Sequence, residues 1–321
     1  MKQYNTPLIS IVILNFNGLK HLTRTIPTIT KLKHHSYEII VVDNASIDGS
    51  LEFLKTFNSI RIVQNKTNLG YARGKNIGAK KAMGDYILFL DNDILIKDLK
   101  LLNKLQKFYS KYKESIISIP FRDSGQKNIN YFGGFLYYSI DPLRGARVVD
   151  KIEVSQVCYP NGGAFFISKK LWDELGGFDD SQPFNLDDKD LGVHAYLLGY
   201  KVILFDGVIL EHLGHSLESF DLRYWCWKYQ YHYSGIMRLI IKNFKVYNIF
   251  IYGVTFTISN FADVAKNSMK LSSLAPAVYF LKSVKTFLKS LPDTLEKRRE
   301  IQSQRKLKND YFLKLRPNYK I

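Results

Sequence analysis

Two carboxylates separated by one residue follow a very apolar stretch of the sequence. The segment YILFL (86–90) runs directly into Asp91, Asn92 and Asp93, and three more apolar residues follow. Burying carboxylates among aliphatic side chains is costly unless a cation meets them. Mg²⁺ or Mn²⁺ prefers carboxylate oxygens and bridges to phosphates, so the spacing predicts a divalent-metal site. Asp and Asn are also common turn residues, and a strand-end turn is the alternative interpretation.

The elements that must position these acids are strands and helices in alternation. Over the first hundred residues the strand-like segments end at NFNG (15–18), DNAS (43–46), NLG (68–70) and DND (91–93). Alternation of continuously apolar strands with helices predicts a parallel sheet covered on both faces. Ligands of such sheets bind beyond the carboxyl ends of the strands, where these four polar segments lie. The expected fold class is therefore α/β with a nucleotide-type cleft.

Composition and charge narrow the class of protein. The chain has 321 residues, of which 46% are hydrophobic and 14% aromatic, so it is long and apolar enough for a folded α/β core. The net charge of +17 predicts an anionic partner, but no nucleic-acid-binding module is recognisable. The two cysteines, Cys158 and Cys226, favour a reducing compartment and argue against a disulfide framework. LISIVIL (8–14) is expected to be a strand and not a signal peptide.

The basic character lies mainly in the C-terminal third. Residues 219–321 contain 19 Lys and Arg against 6 Asp and Glu, a net charge of +13. Within them, 246–262 is apolar but short for a membrane span, and 271–291 carries an aliphatic stripe beside three lysines. This pattern predicts helices that lie on an anionic membrane surface. A helical packing arm or a homodimer interface with a solvated basic face is the alternative.

Six segments, in this order along the chain, resemble family 2 glycosyltransferases of the GT-A fold, particularly the rhamnosyltransferase-like branch. They are SIVILNFNG (10–18), VVDNASIDGS (41–50), NLGYARGKNIGAKKAMGDYILFLDND (68–93), GAFFISKKLWDELGGFDD (163–180), LDDKDLGVHAYLLGY (186–200) and EHLGHS (211–216). No segment would suffice alone, but their order along roughly residues 8–218 makes the resemblance specific.

The resemblance implies a set of residues that contact the nucleotide-sugar donor. Asp43 is expected to accept a hydrogen bond from the nucleobase, although the pattern alone favours a turn or N-cap role before the helix that begins near Asp48. Asn17 and Gly18 would let the backbone approach the nucleotide. Arg73 and Asn76 are expected near the diphosphate, with a solvated helical arginine as the alternative for Arg73.

The resemblance also assigns the metal and the general base. Asp93 is expected to bind Mn²⁺ or Mg²⁺, and Asp91 to contact the ribose or a metal-bound water, with Asp91 also a second candidate ligand. Asn92, between them, is expected among the donor-binding residues. His212 matches the family histidine that approaches the metal or the diphosphate, and imidazole beside carboxylate suits Mn²⁺. Asp188 is the expected general base, which takes the proton of the attacking hydroxyl. Asp187 and Asp190 need only favour the helix N-terminus.

The predicted protein is an inverting, metal-dependent glycosyltransferase. It would transfer a sugar from a nucleotide-diphosphate donor to a glycan acceptor, free or lipid-linked. The protein would act at the cytoplasmic face of the membrane. Residues 1–220 are the expected catalytic domain, with a nucleotide-binding half (1–115) and an acceptor half (116–220), and 221–321 the basic helical extension. The chain departs from the family at Asp187, where glutamate is usual, and at His194, where arginine is common. These departures leave a non-catalytic nucleotide-sugar- or glycan-binding relative as the alternative.

Overall fold

The computed structural model describes residues 7–129, 131–136, 155–181, 186–214, 222–270 and 272–315, with the backbone alone described for 222–229. The strands in these residues are β1 (Ile9–Asn15), β2 (Tyr37–Asp43), β3 (Ile60–Gln64), β4 (Tyr86–Asp91), β5 (Ile94–Leu95), β6 (Ser115–Ser118), β7 (Phe121–Asp123), β8 (Ala164–Ser168), β9 (Lys201–Leu204) and β10 (Leu210–His212). The helices are α1 (Leu19–Ile29), α2 (Ser50–Lys55), α3 (Tyr71–Lys81), α4 (Leu101–Lys111), α5 (Lys169–Glu174), α6 (Asp187–Leu197), α7 (Leu222–Asn243), α8 (Val246–Lys270) and α9 (Ala275–Ser303), followed by a 3₁₀ turn, Tyr311–Lys314.

The central sheet has seven strands in the order β3-β2-β1-β4-β8-β6-β9. β8 runs antiparallel to β4 and β6, and the other neighbouring pairs are parallel. Both faces are buried by helices, which is why a strand such as β4 is a continuous apolar run, Ile87 to Leu90, with no solvent exposure. The predicted α/β class with a mostly parallel sheet is therefore confirmed.

A second sheet of three short strands, in the order β5-β10-β7, lies beside the end of β4. β10 pairs antiparallel with β5, so that His212 is opposite Ile94, and parallel with β7, so that His212 is also level with Asp123. Ile94 directly follows Asp93. This sheet therefore brings together acids and a histidine that are far apart in the sequence.

The C-terminal helices pack on the α/β core. Leu191 and Val193 of α6 share one hydrophobic cluster with Ile240 and Phe244 of α7 and with Phe312. The predicted helical extension is thus confirmed. The helices α8 and α9 are longer than the apolar segments, 246–262 and 271–291, from which they were predicted. Among the helices described above, none has an apolar stretch sufficient to cross a bilayer. The domain boundary near residue 220 falls outside the described residues and stays a prediction.

Candidate active site

The tips of β1, β2 and β4 meet through one asparagine. In-register pairing places Asn15 level with Asp43 and Leu14 level with Asp91. Asn15 Nδ2 donates to Asp43 Oδ2 at 3.0 Å, and Asn92 Nδ2 donates to Asn15 Oδ1 at 2.7 Å. The parallel strands therefore bring the predicted donor residues Asp43 and Asn92 to one edge of the sheet. Asn15, which links them, was not among the predicted site residues.

Asp43 and Asn17 also hold the loop that follows β2. Asp43 is fully buried, and its Oδ1 accepts from Ser46 N at 2.9 Å, which is the turn role considered above. Asn17 has a positive φ of 49°, and its Oδ1 accepts from Ile47 N at 2.9 Å. A Cβ on Gly18 would collide with the side chains of Asn92 and Asn15, so only glycine allows this approach of the backbone.

Asp91 meets a buried lysine. The Nζ of Lys75, on α3, lies 2.8 Å from Asp91 Oδ1 and also donates to the hydroxyl of Tyr71 and to the carbonyl of Gly162, the latter at 3.0 Å. The Lys75 side chain has no exposed surface, whereas that of Asp91 stays 35% exposed. Burial raises the pKa of Tyr71 well above its usual value, helped by the charge of Asp91, so the hydroxyl keeps its proton.

Asp93 meets His212. The Nε2 of His212 lies 3.0 Å from Asp93 Oδ2, and its Nδ1 lies 2.7 Å from Oδ1 of Asp123. Burial opposes protonation of the imidazole, but the hydrogen bonds and charges of Asp93 and Asp123 outweigh it and raise the pKa of His212 to about 9. At neutral pH the imidazolium therefore provides the cation that these two acids require.

The donor chemistry of this group fits Mn²⁺ or Mg²⁺. The Oδ2 of Asp93 and the Nε2 of His212 lie 3.0 Å apart, so both atoms would be within reach of one such ion. Imidazole is a ligand for Mn²⁺ once its proton has left. In the part of the chain that is described, no three His, Cys, Asp or Glu side chains form a complete metal site. Asp93 and His212 would thus hold an ion whose other positions are open to water and phosphate.

Asp188 lies across a short turn from Asp91. A Cβ on Gly162 would be 3.2 Å from Asp188 Oδ2, and a Cβ on Gly163 would be 3.0 Å from Asp91 Oδ2. The two glycines precede β8, so this strand carries the turn to the tip of β4. The predicted base and the first acid of the metal motif therefore flank one Gly-Gly turn.

Asp187 differs from Asp188 in its surroundings. Asp187 is buried, and burial together with the charges of Asp188 and Asp190 raises the pKa of Asp187 to about 8. Its carboxyl group therefore keeps its proton at neutral pH. Asp188, the next residue in the first turn of α6, is less buried. Of these two neighbours, Asp188 has the better access to an acceptor.

Two predicted donor residues contact a different segment. Arg73 is exposed and lies 3.5 Å, Nε to Oδ2, from Asp180. Asn76 uses both ends of its amide on the backbone of Phe178: Nδ2 donates to the carbonyl at 2.9 Å, and Oδ1 accepts from the N–H at 3.0 Å. These contacts are made with residues 178–180 and not at the strand tips, and the expected diphosphate contacts stay predictions.

Lys75, Asp123 and Gly162 were not among the predicted site residues. Lys75 carried a usable signal, since it lies three residues after Ala72 and four before Ala79, on the buried face of α3. A lysine on a buried helix face needs an anionic partner. Asp123 carried no signal, because only the pairing of β7 with β10 brings it to His212.

Comparison with known proteins identifies the family. The model of the family described as glycosyl transferase family 2 matches residues 10–172, just over half of the chain. The chain therefore belongs to glycosyl transferase family 2. It is 26% identical to the glycosyltransferase GlyG of Streptococcus pneumoniae over 210 residues, 62% of this chain and 68% of that protein. Some matches are shorter, such as one that covers 42% of a Haemophilus influenzae glycosyltransferase.

A further relative is the Escherichia coli UDP-Glc:alpha-D-GlcNAc-diphosphoundecaprenol beta-1,3-glucosyltransferase WfaP, 26% identical over 64% of this chain and 87% of that protein. Among solved structures, Staphylococcus aureus TarS 1–349 in complex with UDP-GlcNAc superposes with a TM-score of 0.61 at 15% identity, covering 96% of this chain and 90% of that one. The Pyrobaculum calidifontis mannosyltransferase PcManGT, in complex with GDP-Man and Mn²⁺, has a TM-score of 0.55 at 14% identity over 89% and 88%. These likenesses confirm the GT-A fold.

Proposed function

We propose that this protein is an inverting, metal-dependent glycosyltransferase. It transfers a sugar from a nucleotide-diphosphate donor to a hydroxyl group of a lipid-linked glycan, at the cytoplasmic face of the membrane. The observation that carries the proposal is the Gly162–Gly163 turn, with Asp91 on one side and Asp188 on the other. A donor held at the tip of β4 would present its anomeric carbon to an acceptor hydroxyl beside Asp188.

Asp188 acts as the general base in this proposal. Its carboxylate takes the hydroxyl proton as the acceptor oxygen attacks the anomeric carbon, on the face opposite the departing diphosphate. Attack from the opposite face inverts the anomeric configuration. Asp187 does not compete for this role, because it already holds a proton at neutral pH.

The metal-binding role falls to Asp93 and His212, with Asp91 oriented by Lys75 toward the same edge of the sheet. A bound Mn²⁺ or Mg²⁺ would offset the negative charge of the leaving diphosphate. Asp123 orients His212 by accepting its Nδ1 hydrogen, so that Nε2 faces Asp93. The complex of PcManGT with GDP-Man and Mn²⁺ supports a divalent ion here.

The relatives support the classes of donor and acceptor. TarS is described in complex with UDP-GlcNAc, and the name of WfaP specifies a sugar acceptor on diphosphoundecaprenol. A nucleotide-activated hexose and a lipid-linked acceptor are therefore the substrates that we propose. The rhamnosyltransferase-like branch stays a prediction from sequence.

The test is turnover of UDP-, GDP- and dTDP-sugars with Mn²⁺ and a lipid-diphosphate glycan, with the product anomer identified by NMR. Asp188→Asn should lower kcat about 10²- to 10⁴-fold, the contribution of a positioned base, and leave the donor Kd within about twofold. Asp187→Asn is the matched control: it replaces an acid that is already protonated, so kcat should change by less than about tenfold.

Two outcomes would contradict the proposal. Donor binding without turnover in the wild-type protein, over the whole panel, would instead indicate a nucleotide-sugar-binding relative. Undiminished transfer by Asp188→Asn would show that another group removes the proton.

A further inference from the structure

The outer side of α8 is apolar and exposed. Its solvent-facing residues, which we call the α8 face, are Tyr247, Phe250, Ile251, Val254, Ile258 and Phe261. They recur every three or four residues over a helix of 25 residues, so they form one continuous stripe. Phe250 is 68% exposed and Ile258 64%, so most of each apolar side chain is left in contact with solvent.

The exposed apolar surface is concentrated here. Among the described residues, 19 large hydrophobic side chains are exposed, and 13 of them lie between Val246 and Leu295. The stripe continues onto α9. The ring centroids of Phe261 and Phe280 are 5.0 Å apart, and Leu281, next to Phe280, is 65% exposed. Scattered surface hydrophobics are ordinary, but a contiguous patch marks an interaction surface.

The opposite side of α8 fixes which way this stripe points. Asn248 donates to the buried carboxylate of Asp310, and Phe256 stacks on Tyr233 of α7 with ring centroids 5.7 Å apart. These contacts hold the helix against the rest of the protein by its inner side. The α8 face cannot turn inward without breaking them, so it is presented to the surroundings.

The charges around the stripe are mostly positive. Between residues 263 and 289 the sequence has the acid Asp263 and five lysines. The lysines are Lys266, Lys270, Lys282, Lys285 and Lys289. Apolar and aromatic side chains flanked by lysines match the layers of an anionic bilayer, in which acyl chains lie beneath negatively charged headgroups.

We propose that the α8 face, together with these five lysines, is a docking surface for an anionic lipid bilayer. The helix lies in the plane of the interface, its stripe enters the acyl region and the lysines contact the phosphates. The inference deepens the proposed function, since a lipid-linked acceptor would be reached from the same surface. A second copy of the chain is a poorer occupant, because a symmetric contact would bring two sets of lysines together.

The experiment is flotation of the full-length protein with vesicles of phosphatidylcholine containing about 30% phosphatidylglycerol. The wild type should float with these vesicles and bind pure phosphatidylcholine vesicles at least about tenfold more weakly, because the lysines contribute attraction. Phe250→Glu/Ile258→Glu should reduce binding to the anionic vesicles at least about tenfold by placing charge in the stripe. Lys282→Gln/Lys285→Gln/Lys289→Gln should lower binding and its sensitivity to salt.

Matched controls separate this surface from general charge and hydrophobicity. Met83→Glu changes an exposed apolar residue elsewhere, and Lys107→Gln/Lys111→Gln/Lys113→Gln removes three exposed lysines on and after α4. Both controls should float as the wild type does. Equal flotation of Phe250→Glu/Ile258→Glu and the wild type would overturn the proposal. The proposal would also be overturned if the wild type bound no vesicles and formed a dimer in analytical ultracentrifugation that the Phe250→Glu/Ile258→Glu substitutions dissociate.

Flotation needs no catalysis, so its result stands apart from the transferase assay. A protein that floats but transfers no sugar contradicts only the proposed function. A protein that transfers sugar to a water-soluble acceptor but binds no vesicle contradicts only the docking surface. A circular-dichroism melt of each variant verifies that it is folded.

Discussion

Two buried lysines in this protein each meet aspartates, and their surroundings differ. Lys75 meets one carboxylate, Asp91, which keeps 35% of its side chain exposed at the tip of β4. Lys242, on α7, meets two carboxylates, with its Nζ 2.5 Å from Asp179 Oδ2 and 2.7 Å from Asp190 Oδ2. Both of these acids are only 15% exposed. We call Lys75 and Asp91 the open pair, because Asp91 is partly exposed, and Lys242 with Asp179 and Asp190 the enclosed group, because both acids are largely buried.

The enclosed group is larger than the pair. Arg238 donates to Asp179, Ser181 and Asp293, and Lys297 also reaches Asp179. The charge and hydrogen bond of Lys242, with hydrogen bonds from Lys297 and Ser181, hold the pKa of Asp179 well below its usual value despite burial. Such a network uses its acids for internal contacts and ties α7 and α9 to the first turn of α6. Burial of a lysine is therefore not enough to indicate a binding site, and the two cases differ in how exposed the acids bound to each lysine are.

The largest expected effect comes from breaking the enclosed group. Lys242→Met leaves two buried carboxylates without their shared cation, and we expect it to lower the free energy of unfolding by about 3–5 kcal/mol. Urea denaturation followed by circular dichroism measures this. Lys297→Met is the matched control, because Lys297 reaches the same Asp179 but is 31% exposed; its loss should cost about 1 kcal/mol or less. Similar losses for the two variants would contradict the comparison.

At the open pair we expect a smaller loss of stability together with a loss of donor affinity. Lys75→Met leaves Asp91 with water as a partner, so the free energy of unfolding should fall by only about 1–3 kcal/mol. Because Asp91 then loses its fixed orientation, donor affinity should fall about tenfold, measured by calorimetry with UDP-sugar and Mn²⁺. Lys80→Met, an exposed lysine on the same helix, should change neither quantity. Unchanged donor affinity in Lys75→Met would place Lys75 among the purely structural lysines.

The sequence predicted the parts of the fold that depend on local pattern. Apolar runs that end in Asn15, Asp43 and Asp91 marked three parallel strands, and parallel pairing then brought those ends together without further information. The small sheet was not predicted, since β5, β7 and β10 have only two or three residues each and no period to detect. The contact of Asp123 with His212 was therefore not predicted from the sequence.

The candidate site was predictable to a similar degree. Acids at strand ends and at the start of α6 could be found from spacing and family resemblance. The side chains that orient them, Asn15 and Lys75, depend on contacts across the fold. On α9 the aliphatic stripe was predicted from its period, and Leu274, Val278, Leu281 and Leu288 are exposed along it. Its neighbour α8 presents a longer exposed stripe than composition alone indicated.

Mn²⁺ binding, measured by calorimetry in the presence of UDP between pH about 7 and about 9, tests the central claim that Asp93 and His212 hold the ion. The pKa of His212 is raised to about 9, so below that value a proton must leave Nε2 before metal binds. The affinity of the wild type should therefore rise by up to about tenfold per pH unit and level off near pH 9. Asp93→Ala should bind Mn²⁺ about a hundredfold more weakly with a flatter pH dependence, since a ligand is lost and the pKa of His212 falls. The same affinity and the same pH slope in both proteins would contradict the account.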